Sequence, residues 1–181
     1  MHEFNELIKL STTFNLNALN EAQERVGNAL QTRADTTLVK TLQMVQLQKA
    51  ISSIGMFSMF DAILQDQLKC KKGESGFQKA GQLLEAQGKI ELKEKFSTLQ
   101  QAINVLKHGK GRSYKDLVEK AASLPFKVKL PEEFFFDEGD VSEVATLIEV
   151  EDSFVLLCAE VIDEISIAIQ QKSLTPLTCP L

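Results

Sequence analysis

Tryptophan is absent from this 181-residue chain, and Tyr114 is its single tyrosine. The eleven phenylalanines must therefore supply nearly all of the aromatic packing. Cysteine is scarce and odd in number: Cys70, Cys158 and Cys179 stand far apart, with no CxxC pair. That excludes a disulfide framework and a cysteine–histidine zinc site. Cys158 reads as a small buried hydrophobe, and Cys70, beside Lys69 and Lys71, as an exposed thiol at a helix end. Histidine occurs only at His2 and His108. Glu149, Asp152, Glu160 and Asp163 have helical spacings, but a di-metal carboxylate bundle needs histidines that this chain lacks. Gly73 and Gly76 do not make a P-loop. No metal and no cofactor is expected.

Long apolar runs are missing as well. The longest charge-free apolar stretch, Ala50 to Phe60, falls far short of the ~20 residues that span a bilayer, and reads as a helix buried on all sides. The amphipathic start MHEFNELIKL has no apolar core of the signal-peptide kind. A cytoplasmic protein without membrane contact is the expectation.

Apolar residues at 44% and charged residues at 25% are ordinary globular values, enough for one core. Residues 1–172 read as one helical domain and 173–181, with Pro176 and Pro180, as a loose tail. Phe4, Leu7, Ile8, Phe14, Leu16, Leu19, Val26 and Leu30 follow helical spacing, with a break allowed between Asn15 and Asn20. Asp35 stands at a helix start, and a long apolar pattern runs from Leu38 to Leu68. Gly55 inside it marks a kink or the close approach of another helix. Ser75 and Gln78 form a capping box that opens a helix ending near Gly88. The next helix runs from about Ile90 to His108 and stops at Gly109. Ser113 and Asp116 make a second capping box.

Pro125 and Pro131 interrupt this series. Phe126 to Leu130 alternates like a short strand, and Phe134-Phe135-Phe136 is an aromatic clump, so residues 123–140 read as one ordered Phe/Pro-rich loop with at most a small hairpin. Asp140 and Glu143 then cap a final helix reaching about Gln171. The fold class is all-α.

The net charge of −5 is unevenly spread. Residues 101–130 carry seven Lys or Arg against two acids; residues 131–164 carry twelve Asp or Glu and no Lys or Arg. Such a division makes two fields of opposite sign. They can meet each other inside the fold, or the basic one can face an anionic ligand.

The densest polar cluster lies in the basic part. Asn104-Val105-Leu106-Lys107-His108-Gly109-Lys110-Gly111-Arg112-Ser113 passes from a helix end through two glycines into a helix start. Asn104 and His108, four apart, share a helical face. His108 is the one imidazole placed to act as an acid or base within the fold. Lys107, Lys110 and Arg112 add positive charge, and the N–H groups beyond Ser113 are oriented for an anion. Asn104 and His108 are thus the candidate catalytic pair, and Lys107, Lys110, Arg112 and Ser113 the candidate substrate-binding residues. The plainer reading is that Asn104 and His108 cap carbonyls, the glycines turn the chain and the lysines form a solvated rim.

This segment, NVLKHG followed by KGRSYKDL, resembles the histidine motif of the HEPN superfamily (higher eukaryotes and prokaryotes nucleotide-binding domains). The order of elements over residues 35–170 is also similar. The resemblance implies an up-and-down helical bundle, a homodimer paired through helices, and an RNA or nucleotide ligand, with metal-independent RNA cleavage through His108 in its nuclease members. The family's Arg before the His has no counterpart, because positions 101–103 hold Gln101, Ala102 and Ile103. Binding is therefore expected ahead of cleavage. The alternative is a non-catalytic interaction protein of antitoxin or immunity type, meeting a protein partner through its acidic final helix or Phe134 to Phe136.

The periodicity predicts helix in more than ~60% of residues, well above the ~30–35% of an average domain. A circular-dichroism spectrum dominated by sheet contradicts that expectation.

Overall fold

The computed structural model describes residues 2–33, 35–133 and 146–173. Among these, six α-helices account for 77% helix: α1 (His2–Leu30), α2 (Thr36–Gln67), α3 (Gly76–Ala86), α4 (Ile90–His108), α5 (Arg112–Glu119) and α6 (Asp152–Ser173). The all-α reading holds, as an α-helical bundle.

Helix α1 has no break. Asn5, Ile8, Thr12 and Leu16 form its buried ladder, and the Asn20 side chain donates to Asp152 Oδ2 at 2.6 Å. An asparagine engaged outside its own helix no longer competes for the backbone. The start of α2 is as expected: Asp35 is extended (φ −141°, ψ 122°) and its carboxylate accepts from the Thr37 N–H at 2.8 Å. That hydrogen bond holds the Asp35 carboxyl below its ordinary value. Helix α2 runs antiparallel to α1, with Phe4 stacked on Phe60 and Thr12 against Met56.

The stretch Ala50 to Phe60 is not buried on all sides. Phe57 and Phe60 are enclosed, but Ile51, Ser58 and Met59 face solvent. Charge-free sequence reports low polarity, not enclosure. The most enclosed helix is α6, which packs on α1, α2, α3 and α4 and buries Phe154, Val155, Cys158, Val161, Ile162 and Ile165. Cys158 is buried as expected, and burial pushes its thiol pKa up.

Helix α3 does begin after Ser75, but the Ser75 side chain makes no capping bond. Asp61 of α2 accepts from the Phe77 N–H at 3.2 Å instead. That substitution works because α3 lies directly against α2. A Cβ at Gly76 would sit 2.8 Å from the Asp61 carbonyl oxygen and from Leu64 Cβ. Gly55, by contrast, has no described atom outside its own helix backbone within 4 Å of its Cβ position, so no described helix packs closely on it.

The strand-like segment after Pro125 does not form a hairpin with its immediate neighbours. Val128 makes a single antiparallel bridge with Ile148. The Lys129 N–H donates to Leu147 O at 2.9 Å and the Glu149 N–H to Lys127 O at 3.1 Å. Both bridge residues are buried, and Phe126 meets Phe154 edge-on at 5.2 Å. The final helix begins at Asp152, not at Asp140, because residues 147–149 are held extended by this pairing. Asp140 and Glu143, the clump Phe134 to Phe136, and the tail from residue 174 lie outside the described residues.

The two glycines separate close packing from open surface. Gly76→Ala should lower stability by roughly 1–3 kcal/mol, since the nearest atoms include rigid backbone. Gly81→Ala, with open space around it, should raise stability by up to ~1 kcal/mol. Urea unfolding of both variants checks the contrast, and equal effects contradict it.

Candidate functional site

The α4–α5 turn stands on a fixed base. Phe96, Leu99, Ala102 and Ile103 bury one face of α4. Helix α5 is docked by buried Tyr114 and Leu117, and the Tyr114 hydroxyl donates to Lys129 O at 2.6 Å. Gln101 Nε2 donates to Asp116 Oδ2 at 3.3 Å, while Lys120 Nζ donates to Gln101 Oε1 at 2.8 Å and to Thr98 Oγ1 at 3.2 Å. These bonds clamp α5 against α4.

The turn rises from this base. Gly109 ends α4 at φ +72°, a conformation glycine adopts without strain, and its N–H donates to Val105 O at 2.8 Å. Gly111, not Ser113, occupies the N-cap of α5, and Ser113 lies inside the helix. The second capping box is therefore not formed; Asp116 turns to Gln101 instead. Asn104 is half-buried, one turn before His108, while His108, Lys107, Lys110 and Arg112 are exposed and Ser113 is half-buried. The structure thus brings the candidate residues to one turn, with four of them exposed and Asn104 and Ser113 half-buried. None of the three clefts of this molecule described below is lined by them.

The distribution of ion pairs separates two kinds of cation. Among the described residues, Lys107, His108, Lys110, Arg112 and Lys115 take part in no ion pair. Four carboxylates of the acidic stretch are met by other lysines. Lys127 pairs with Glu149 at 3.0 Å, Lys95 with Glu164 at 3.6 Å, Lys49 with Asp152 at 2.6 Å, and Lys9 with Asp163. The hydrogen bond from Lys127 to Glu149 raises the lysine's pKa.

One polar constellation was not anticipated from the residue pattern. Lys49, 8% exposed, points to Asp152 at the first turn of α6, and Asn20 completes the group. It lies at a cleft of about 830 Å³ between α1, α2 and the segment before α6, with Gln23, Gln46 and Glu151 also on its walls. The available signal was a lysine on the otherwise apolar ladder of Val45, Ser53, Met56 and Phe60. A smaller groove of about 180 Å³ lies between α1 and α2, and a third cleft of about 480 Å³ lies between α4 and Phe126. Among the described residues, no three His, Cys, Asp or Glu side chains are grouped to hold a metal ion, and no helix is long and apolar enough to cross a membrane.

No family model, no curated protein and no solved structure matches this chain.

Partial burial works against ionisation of Asp152, but hydrogen bonds from Lys49 and Asn20 outweigh it and hold its carboxyl below the ordinary value. The folded protein therefore gives up this proton more readily than the unfolded chain. The resulting stability is fully present above the unfolded-state value of ~3.9 and is lost as pH falls through the lower folded-state value. Wild type should consequently lose more stability than Asp152→Asn over the acid limb below about pH 4. Parallel acid limbs in urea titrations at stepped pH contradict this role. At neutral pH, Lys49→Met should lower stability by roughly 1–3 kcal/mol, because Asp152 loses its charged partner.

Proposed function

We propose that the α4–α5 turn is an anion-binding surface for the phosphate backbone of RNA, with Lys107, Lys110, Arg112 and Lys115 as the contacting cations. The observation that carries this reading is the division of the lysines. Four carboxylates of the acidic stretch, Glu149, Asp152, Asp163 and Glu164, are paired with Lys127, Lys49, Lys9 and Lys95, while the turn cations have no ion pair among the described residues. Four cations within nine residues repel each other unless an anion offsets them. Their exposure outside the three clefts suits an extended polyanion better than an enclosed mononucleotide, for which a pocket is the usual site. The frame beneath them is rigid, since Tyr114 and Gln101 fix α5.

The HEPN-like arrangement of the bundle belongs to the same proposal. In it, Asn104 and His108 face the ligand from the last turn of α4, Ser113 lies beside them at the start of α5, and His108 serves as a hydrogen-bond donor. Cleavage of the chain is not part of the proposal. Ala102 and Ile103 are buried and Gln101 is engaged with Lys120 and Asp116, so these positions present no cation beside His108.

Fluorescence anisotropy with a short single-stranded RNA tests the reading. For four phosphate contacts, affinity should fall roughly 50- to 100-fold between about 50 and 200 mM salt. Lys110→Ala with Arg112→Ala should weaken binding and flatten the salt slope by about one unit per lost contact. Stability should move by no more than about 0.5 kcal/mol, as for other surface changes. A double variant that melts early, or a wild type with no affinity at low salt, refutes the proposal. Metal-independent cleavage abolished by His108→Ala would instead restore the catalytic reading.

A further inference from the structure

Helices α1 and α2 turn apolar side chains toward solvent. On α1 these are Leu7, Leu10 and Phe14, at positions i, i+3 and i+7; on α2 they are Met44, Leu47 and Ile51, again at i, i+3 and i+7, followed by Met59. Each is between 47 and 73% exposed. The groove between the helices, lined by Ser11, Asn15, Gly55 and Met59, lies between the two stripes. Together the seven side chains expose on the order of 700 Å² of mostly apolar surface, above the ~300–600 Å² of the largest patch on a typical monomer.

We propose that this face is the homodimer interface, occupied by the same face of a second copy. Three observations select that occupant. First, two such faces covering each other bury about 1,400 Å², within the ~1,200–2,000 Å² of a standard stable interface. Second, Gly55 stands in the α2 stripe, and apart from the backbone of its own helix no described atom lies within 4 Å of its Cβ position. A glycine in mid-helix weakens the helix, and its gain is close backbone approach. Among the described residues nothing uses that approach. Third, the ends of the stripe are of opposite charge: Lys40 and Asp66 are both exposed and lie equally far, about 20 Å, from the level of Ser53, near the middle of the helix. Two α2 helices crossing antiparallel about that midpoint bring each Lys40 toward the partner's Asp66. An isologous pairing of this kind closes at two copies.

The full chain at about 50 µM, measured by size exclusion with light scattering, should run at twice its 20.2 kDa mass. Ile51→Lys and Phe14→Glu, on different helices, should each raise the dissociation constant by ~30-fold or more. Both side chains point to solvent in the single chain, so far-ultraviolet circular dichroism should stay unchanged. Ile90→Lys, an exposed apolar position on α4 away from this face, should leave association intact. A monomeric wild type overturns the proposal. So does a dimer that survives both interface variants, or one that Ile90→Lys disrupts equally.

Discussion

The ring of Phe96 meets Phe77 edge-on at 5.1 Å, and Phe57 and Phe60 close on both rings from α2 at 5.9 to 6.3 Å. Phe4 extends the group to α1 by stacking on Phe60. In a chain without tryptophan, this cluster is where α2, α3 and α4 agree on a common position. Each edge-on pair adds about 0.5–1.5 kcal/mol beyond its buried area and favours one geometry over neighbouring ones. Helix α6 then fills the space that those helices leave, keeping Leu156, Glu160 and Ile167 on its outer face. The α4–α5 turn inherits its position from Phe96: the ring anchors the first half of α4, and twelve residues on His108 emerges at the surface.

Much of this was legible locally. The helical spans of α1 and α2, the Asp35 cap and the Gly109 stop each depend on residues within a few positions of one another and are found as read, although Leu7 and Phe14 of the α1 pattern and Ile51 of the α2 pattern face solvent. The failures share a different cause. Ser75 has the right neighbour for a capping box, yet Asp61, sixteen residues before Phe77, makes the bond. Asn20 looks like a helix breaker until Asp152, 132 residues away, takes its amide. The start of the final helix was misplaced because residues 147–149 pair with 127–129, a long-range choice that leaves no periodic trace. Local pattern encodes which segments are helical; the partners of polar side chains are settled by packing.

The same distinction applies to charge. The contrast between a basic and an acidic half of the chain is plain in the sequence, and it suggests that the two halves neutralise each other. Among the described residues, Lys127 pairs with Glu149 from the basic half, while Lys9, Lys49 and Lys95 come from earlier segments. Exposed pairs of this kind contribute at most about 1 kcal/mol each, so their interest lies less in stability than in what they leave over. The Lys49–Asp152 pair is the exception, being mostly withdrawn from water and joined by Asn20. It ties α2 to the first turn of α6 and fixes where the preceding segment crosses the bundle.

Lys120 shows why position matters more than the number of cations near a candidate site. Its ammonium group is half-buried and meets two neutral oxygens, of Thr98 and Gln101, while Gln101 passes its own amide to Asp116. Gln101 lies seven residues before His108, about 10 Å along the same helical face. On that face, Gln101 and Lys120 are the groups that the fold places at the seam between α4 and α5. Both are committed to holding α5 in place, and drawing Lys120 outward would leave the oxygens of Thr98 and Gln101 without their donor. Lys110 and Arg112, beyond the clamp, carry no such structural duty among the described residues. A rigid α5 and a cation free to move toward His108 are therefore competing demands on the same side chains. In this sequence the first prevails, which is the physical reason for proposing binding at the turn without chemistry at its base.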